Sequence, residues 1–529
     1  MTDYRILVSD PLSEEGIFPL REAQGITVVF DTELNPQELA DKIAGFDALL
    51  VRSKTQVTRE LIEKADRLKI IGRAGVGVDN IDLEAATEKG IIVVNAPDGN
   101  TNSAAEHTMA MMMAMARKIP QAAASLRNRE WDRKSFTGVE LKGKTLGVVG
   151  LGRIGAEVSA RAKGQRMNII AYDPYLTAEK AGELGIGFGT VEEVLEASDF
   201  ITVHTPLLKE TRHLINAEAF ALMKPGVQII NCARGGIIDE DALYDAIKAG
   251  KVAGAALDVF EQEPVVDFRL LDLPEVVATP HLGASTFEAQ ENVAIDVSHD
   301  VVSYFSTGIV RNSVNLPSVP KEIMRKIEPY FDLSERLGAF LTQLSDTAAT
   351  VVNISYSGEL TDSEVGPLTR NILKGLLKRH LGNRVNDVNA MFLAHQKGIT
   401  VNEIKSAASG GFTNLITVEI LTTEGKWKTA GTLLNGQGAR IVKVDDWIVD
   451  VIPAGHLLYV HHHDRPGVIG RVGTLLGQEG VNIATMQVGR SAEGGAAIMM
   501  LTIDKPAERE SLRQLEGLEE IDNVIAVDL

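Results

Sequence analysis

The sequence predicts an α/β chain built on doubly wound parallel sheets, with α+β structure towards its end. Three observations predict it. Short apolar strands alternate with amphipathic helical segments from residue 6 to residue 279. A glycine-rich turn, Gly150-Leu151-Gly152-Arg153-Ile154-Gly155, stands between a strand pattern and a helix pattern. Residues 456–529 read β-α-β-β-α-β, a ferredoxin-like order.

In chain order, residues 6–8, 48–51, 70–71 and 91–94 read as strands, and 60–65 and 83–89 as helices. The turn formers Asn95-Ala96-Pro97-Asp98-Gly99-Asn100 predict a hinge. A helix follows over 101–118 and carries Met109, Met111, Met112, Met113 and Met115. Methionine fills irregular gaps, so this helix is expected at a domain or subunit interface. Strands over 146–149, 168–172, 200–203, 228–231, 254–257 and 276–279 describe a six-stranded, Rossmann-type nucleotide domain. A helix over 286–306 is expected to return the chain onto the first domain. That makes 1–97 with 286–316 a discontinuous substrate-binding domain and 98–285 the nucleotide domain. Two prolines mark 314–320 as a linker. An α+β intervening domain over 317–453 mixes a helix over 368–378 with strands over 350–356 and 416–421. The tail, 454–529, has strands over 457–461, 482–489, 496–503 and 525–527 and helices over 467–478 and 508–515.

Composition excludes several classes of function. Of 529 residues, 44 % are hydrophobic and 24 % charged, enough apolar material for several cores. Lys plus Arg is 53 and Asp plus Glu 72, giving a net charge of −19, which disfavours duplex nucleic acid as a partner. An anionic ligand must be met by local cations. The single cysteine, Cys232, excludes an intrachain disulfide and a cysteine-based zinc site. No signal-peptide core and no run of eighteen apolar residues is present, so no membrane partner and a cytoplasmic location are expected.

The chemistry starts at the glycine turn. Its first glycine allows the tight turn, the second lets a pyrophosphate approach the backbone, and the third lets helix and strand pack closely. The helix N-terminus then offers free N–H groups to phosphates. Asp173 ends the next strand, where a carboxylate accepts hydrogen bonds from ribose hydroxyls and repels a 2′-phosphate. NAD rather than NADP is therefore the expected cofactor. Further on, Asn231-Cys232-Ala233-Arg234-Gly235-Gly236, Asp258-Val259-Phe260-Glu261-Gln262-Glu263-Pro264 and Pro280-His281-Leu282-Gly283-Ala284-Ser285 each follow a strand, where open α/β sheets bind ligands. Hydride transfer from a 2-hydroxy acid needs a guanidinium for the carboxylate, an imidazole for the hydroxyl proton, and a carboxylate to tune the imidazole. Arg234, His281 and Glu263 offer that trio.

On these motifs, with His204-Thr205-Pro206-Leu207 and Thr279-Pro280-His281-Leu282-Gly283, residues 4–316 resemble the D-isomer-specific 2-hydroxyacid dehydrogenases. The resemblance implies Arg234, Glu263 and His281 as catalytic residues. It implies nucleotide contacts at Gly150, Gly152, Arg153, Ile154, Gly155, Asp173, Thr205, Cys232, Ala233, Arg234, Asp258, His281, Gly283 and Ala284. Arg73-Ala74-Gly75-Val76-Gly77-Val78-Asp79-Asn80 and the tail narrow the likeness to the long members that oxidise 3-phosphoglycerate. The tail resembles an ACT domain, which implies a homo-oligomer, a tetramer, with L-serine as effector at His462, Asp464 and Asn482.

The substrate expectation is a matter of charge. Arg52 and Arg73 stand at strand ends of the first domain, and with Ser53, Gly75 and Asn100 are the expected substrate contacts. Lys54, Arg133 and Lys134, the last two beside Trp131, read equally as solvated surface. His461-His462-His463 reads as a polar strand edge rather than a metal site, since neighbouring strand residues point to opposite faces. Lys374, Lys378, Arg379, His380 and Arg384 read as a solvated helix face. Two other functions compete. A glyoxylate or hydroxypyruvate reductase of the same family does not explain the tail. A nucleotide-sensing co-repressor does not need a proton acceptor.

Overall fold

The computed structural model describes residues 3–317, 319–345, 347–407, 409–490 and 492–529. The first sheet holds β1 (Tyr4–Val8), β2 (Ile26–Phe30), β3 (Ala48–Val51), β4 (Ile70–Arg73) and β5 (Ile92–Asn95), all parallel, in the order β2-β1-β3-β4-β5. All four residues of β3 are buried, as expected where helices cover both faces. The sequence reading had no counterpart for β2 or for the helix Glu14–Glu22. β2 is a half-exposed edge strand, and Gly16 and Pro19 weaken the helical pattern. Gly16 is required by packing: a Cβ there would overlap that of Ala294.

The second sheet holds β6 (Thr145–Val149), β7 (Asn168–Tyr172), β8 (Gly187–Phe188), β9 (Phe200–Val203), β10 (Val227–Asn231), β11 (Val252–Leu257) and β12 (Val276–Ala278). Its order is β12-β11-β10-β9-β6-β7-β8, again parallel, with the two-residue β8 added to the six expected strands. The winding reverses between β6 and β9, the switch point at which such sheets bind ligands. The helix Thr101–Ala116 buries Met109, Met111, Met112 and Met115 against this sheet, while Met113 stays at the surface. The helix Phe287–Thr307 returns to pack on Glu14–Glu22, β4 and β5. Ser103 Oγ and Thr286 Oγ1, 2.7 Å apart, tie the two crossings together.

The third sheet holds β13 (Val351–Gly358), β14 (Thr400–Ser406), β15 (Asn414–Leu421), β16 (Lys426–Leu434), β17 (Gly438–Val444) and β18 (Trp447–Val451), in the order β14-β13-β15-β16-β17-β18. Two helices, Phe331–Leu344 and Gly366–Leu381, cover it. They touch through Gly338 and Gly375, where a Cβ would overlap the facing helix's backbone carbonyls of Ile372 and Glu335. The fourth sheet holds β19 (His456–His463), β20 (Ile483–Arg490), β21 (Ala496–Ile503) and β22 (Ile521–Asp528), in the order β20-β21-β19-β22. One face packs on the helices Val468–Gln478 and Arg509–Glu516. The other sends Leu457, Tyr459, Ile498, Met500 and Val527 into the core of the third sheet. The third and fourth sheets therefore share one core.

Two expectations are corrected. The triple histidine is not at a sheet edge, because β19 pairs with β21 and β22 on its two sides. Alternation along β19 puts His462 on the face of the buried Leu458 and Val460, while His461 and His463 both reach Asp522. The 314–320 segment is not a free linker at its start. Val314 N donates to Val93 O, and Asn315 bonds Val93 N and Ile91 O at 2.9 Å each. Asn386 and Asn389 donate to the carbonyls of Gly90 and Glu88 at the end of helix Leu83–Lys89, and Val388 is buried in the core of the first sheet. The solvated-face reading of the basic cluster is partly revised: Lys374 bridges Glu335 and Asp387 at 2.8 Å each. Among the described residues no helix is long and apolar enough to cross a membrane.

Gly375→Ala should lower the melting temperature of the third-sheet unit, because overpacking a tight helix pair costs about 1–3 kcal/mol. A calorimetric scan checks it, with NADH affinity expected to stay at the wild-type value.

Candidate active site

The carboxyl ends of the first two sheets meet across a cleft. Arg234, three residues past β10, reaches Asp79 beyond β4, with Nε and Oδ2 3.1 Å apart. Its guanidinium lies where a Cβ on Gly77 would stand, so a side chain there would have to displace it.

On one side of the cleft is the glycine turn. Gly150 has φ +96° and lies against the His204 carbonyl, while a Cβ on Gly155 would overlap Gly150 O. Gly152, the N-cap of the helix Arg153–Gly164, faces open space. Turn, cradle and close packing thus fall on the three glycines in that order. Asp173 accepts from Leu151 N at 3.0 Å and Tyr175 N at 2.9 Å, so it shapes the turn as well as ending β7. Arg153 pairs with Asp98 of the hinge at 2.5 Å. Ile154 packs on the core beneath. Thr205 Oγ1 is buried with no partner among the described residues, an acceptor and donor left for a ligand. These residues fit a dinucleotide. Cys232 is buried beside Thr108, and burial, aided by the charge of Asp258, pushes its thiol up to about 12. It serves as a wall, not a nucleophile. Ala233 N bonds Asn231 Oδ1 at 3.0 Å, which holds the backbone leading to Arg234.

Facing the turn is the loop that carries His281. Asp258 is fully buried and accepts from Thr279 Oγ1 at 2.6 Å, Leu282 N at 2.7 Å and Gly283 N at 2.8 Å, with His107 Nε2 at 3.1 Å. Burial alone would raise this carboxyl; the bonds from His107, Thr279 and Leu282 outweigh it and hold it below the usual range. The loop is held so firmly that His281 keeps a left-handed φ of +54°. Its Nδ1 lies 2.7 Å from Glu263 Oε2, and Glu263 Oε1 accepts from Phe260 N at 3.0 Å. The hydrogen bond to Glu263 raises the imidazole above its ordinary value against the opposing effect of burial. Glu263 is held low, the bonds from His281 and Phe260 N overcoming its own burial. Nε2 is left for the cleft, where Ala284 follows in the same loop.

The third wall is cationic. Arg73 ends β4 over Gly75, whose φ is +155° and whose Cβ would overlap the guanidinium. Burial first, then repulsion from Arg234, pushes Arg73 down to about 10, and its Nε is buried with no partner among the described residues. Arg52 adds to that repulsion from the turn after β3. Ser53 is exposed beside it, whereas Lys54 turns away to donate to Thr32 O at 2.8 Å. Asn100 Oδ1 is buried and unpartnered where the hinge enters helix Thr101–Ala116. Sequence reasoning missed Gly77, His107 and Thr279 as members of the site. Gly77 lies in a motif it quoted, but its neighbour Arg234 is distant in the chain.

The expected effector residues do not converge within one chain. β19 and β20 run parallel on either side of β21, so His462 and Asp464 lie at one end of the sheet and Asn482 at the other. Asp464 bonds Arg490 at 3.0 Å, Asn482 bonds Asp504 at 2.8 Å, and His462 Nε2 is buried with no partner among the described residues.

A cradle that fits a dinucleotide beside an imidazole–carboxylate pair defines a class, the NAD-dependent dehydrogenases. Comparison with known proteins narrows it. Residues 109–283 match the D-isomer specific 2-hydroxyacid dehydrogenase, NAD binding domain; 326–445 match the D-3-phosphoglycerate dehydrogenase intervening domain; and 456–520 match the ACT domain. The D-3-phosphoglycerate dehydrogenase of Bacillus subtilis is 48 % identical over 99 % of this chain and all of its own length. That of Methanocaldococcus jannaschii is 47 % identical over the same shares. Among solved structures, a D-lactate dehydrogenase from Aquifex aeolicus, complexed with NAD and lactic acid, matches 59 % of this chain and all of that one, with a TM-score of 0.52 and 30 % identity. The chain belongs to the D-3-phosphoglycerate dehydrogenase family, within the D-isomer specific 2-hydroxyacid dehydrogenases.

Glu263→Gln should lower the pKa of His281, since the neighbouring charge raises it. An NMR titration of the imidazole checks this. The acid limb of the pH–rate profile for oxidation should move to lower pH, with a smaller maximum because the base is weaker.

Proposed function

We propose that this chain oxidises 3-phospho-D-glycerate to 3-phosphohydroxypyruvate, the entry step of L-serine synthesis. The observation that carries this reading is the meeting of Arg52, Arg73 and Arg234 beside the His281–Glu263 pair. One bidentate arginine suffices for the carboxylate of a 2-hydroxy acid. Two more, one of them half-buried with an Nε that bonds no described residue, call for a second anionic group on the same substrate. A terminal phosphate supplies it, and the names of the relatives agree.

Bound NAD supplies the hydride acceptor. Gly150, Gly152, Arg153, Ile154 and Gly155 hold its pyrophosphate and Asp173 its ribose, while Thr205, Cys232, Ala233, Asp258, Gly283 and Ala284 line the rest of its pocket. Arg234 holds the substrate carboxylate and polarises the forming carbonyl. His281 Nε2 takes the hydroxyl proton as the hydride leaves the same carbon. Glu263 keeps the proton on Nδ1, orients the ring and strengthens it as a base. Arg52, Ser53, Arg73, Gly75 and Asn100 hold the phosphate end. Residues 1–97 with 286–316 act as the substrate domain and 98–285 as the NAD domain, opening about the tied crossings at Ser103 and Thr286. Residues 317–453 are the intervening domain and 454–529 the ACT domain.

The regulatory part of the proposal is feedback inhibition by L-serine. Because His462 and Asp464 lie at the far end of the sheet from Asn482, a serine site using all three must be built between two copies. That requirement supports a homo-oligomer, read here as a tetramer. Serine inhibits by preferring a domain arrangement poor at catalysis.

The direct experiment is NADH formation from 3-phosphoglycerate, compared with D-glycerate. Arg73→Ala should raise KM for the phosphorylated acid roughly 10- to 100-fold, as expected for a charge-assisted bond of about 1.5–3 kcal/mol, with a much smaller effect on D-glycerate. Equal effects on both would assign Arg73 to the carboxylate. For regulation, Asn482→Ala should abolish serine inhibition while uninhibited kcat stays close to wild type. A wild-type enzyme that neither binds nor responds to serine, by calorimetry and by rate, would leave the tail as a pairing module only.

A further inference from the structure

We infer that Asp10 is a positioning residue for the substrate's distal anionic group, fixing from beneath the turn that presents Arg52. The inference rests on the proposed role of Arg52 and extends it to the residues that aim it. Asp10 lies two residues past β1 and is fully buried. Its Oδ2 accepts from Arg52 N at 2.6 Å and Thr55 N at 3.2 Å, and its Oδ1 accepts from Thr55 Oγ1 at 2.6 Å. From the opposite side Asn80 Nδ2 donates to Arg52 O at 2.7 Å and Thr55 O at 2.6 Å. The first and last residues of the turn are thus held through both N–H and carbonyl. Ser53 and Lys54, between them, are exposed, and their N–H groups donate to no described residue.

Burying a carboxylate is costly unless every lone pair is used. No cation pairs directly with Asp10 among the described residues; its bonds go to the turn. Here the charge also sits beneath the guanidinium cluster and favours the charged form of Arg73. The clamp has a second consequence. Asn80 follows Asp79, which holds Arg234. Two adjacent residues therefore tie the Arg52 turn to the arginine at the carboxylate end, and set the span between the substrate's two anionic groups. A pre-positioned turn avoids the ordering cost that a mobile one would charge on binding.

The test is steady-state kinetics of the full-length chain with 3-phosphoglycerate, alongside NADH binding by fluorescence. Asp10→Ala should raise KM roughly 10-fold or more, the scale of losing bonds to a charged group, with kcat within about 3-fold and NADH affinity unchanged. Asp10→Asn should restore KM to within about 3-fold, since the amide oxygen accepts the two N–H groups and its nitrogen donates to Thr55 Oγ1. An Asp10→Asn as impaired as Asp10→Ala overturns the clamp, and so does an Asp10→Ala with wild-type KM when Arg52→Ala is impaired. Arg52→Ala with wild-type KM overturns the reading of Arg52 itself. If Asp10→Ala does not fold, Thr55→Val takes its place: a roughly 3- to 10-fold rise in KM supports the inference, and no rise overturns it.

Discussion

Three guanidinium groups meet in a cleft of a chain whose net charge is −19, and the repulsion among them is the constraint that the catalytic half answers to. Arg73 is half-buried, its Nε bonds no described residue, and desolvation first and then Arg234 push it down. Such a cluster persists only if the backbone around it is over-determined. Gly75 and Gly77 surrender their side-chain space to Arg73 and Arg234. Asp79 draws Arg234 across from the second sheet, and Asp10 places a buried negative charge underneath. A substrate with two anionic ends completes the balance that the protein leaves open.

The proton-handling side uses opposite means. There, carboxylates organise the loop. Asp258 gathers four donors and so holds the backbone after Thr279, which leaves His281 in a left-handed conformation with its ring in the cleft. Glu263 then occupies Nδ1 and raises the imidazole. His107 connects this loop to the helix Thr101–Ala116, which begins at the hinge. The helix that starts after the Asn95–Asn100 turn thus also supports the His281 loop.

The third and fourth sheets are packed against the first. The third and fourth sheets share a core, so the ACT domain is not a pendant module. The loop with Asn386 and Asn389 caps the end of helix Leu83–Lys89, next to the strands that carry Arg73. Val388 is anchored in the first sheet's core.

The local patterns were legible in the chain itself. Apolar runs, the glycine turn and the residues just past each strand are short-range signals, because strand burial and turn geometry depend on immediate neighbours. They suffice for the fold class, the nucleotide half and the Arg234, Glu263 and His281 trio as candidates. What only the tertiary structure decided rests on partners far apart in sequence. Gly77 is explained by Arg234, Asp258 by His107, Asp10 by the Arg52–Thr55 turn, and Asn386 by the carbonyl of Gly90. The position of β19 in the middle of its sheet, and the separation of Asn482 from His462, follow from strand order. Periodicity tells which face of a strand is buried, but it carries no information on which strand lies alongside.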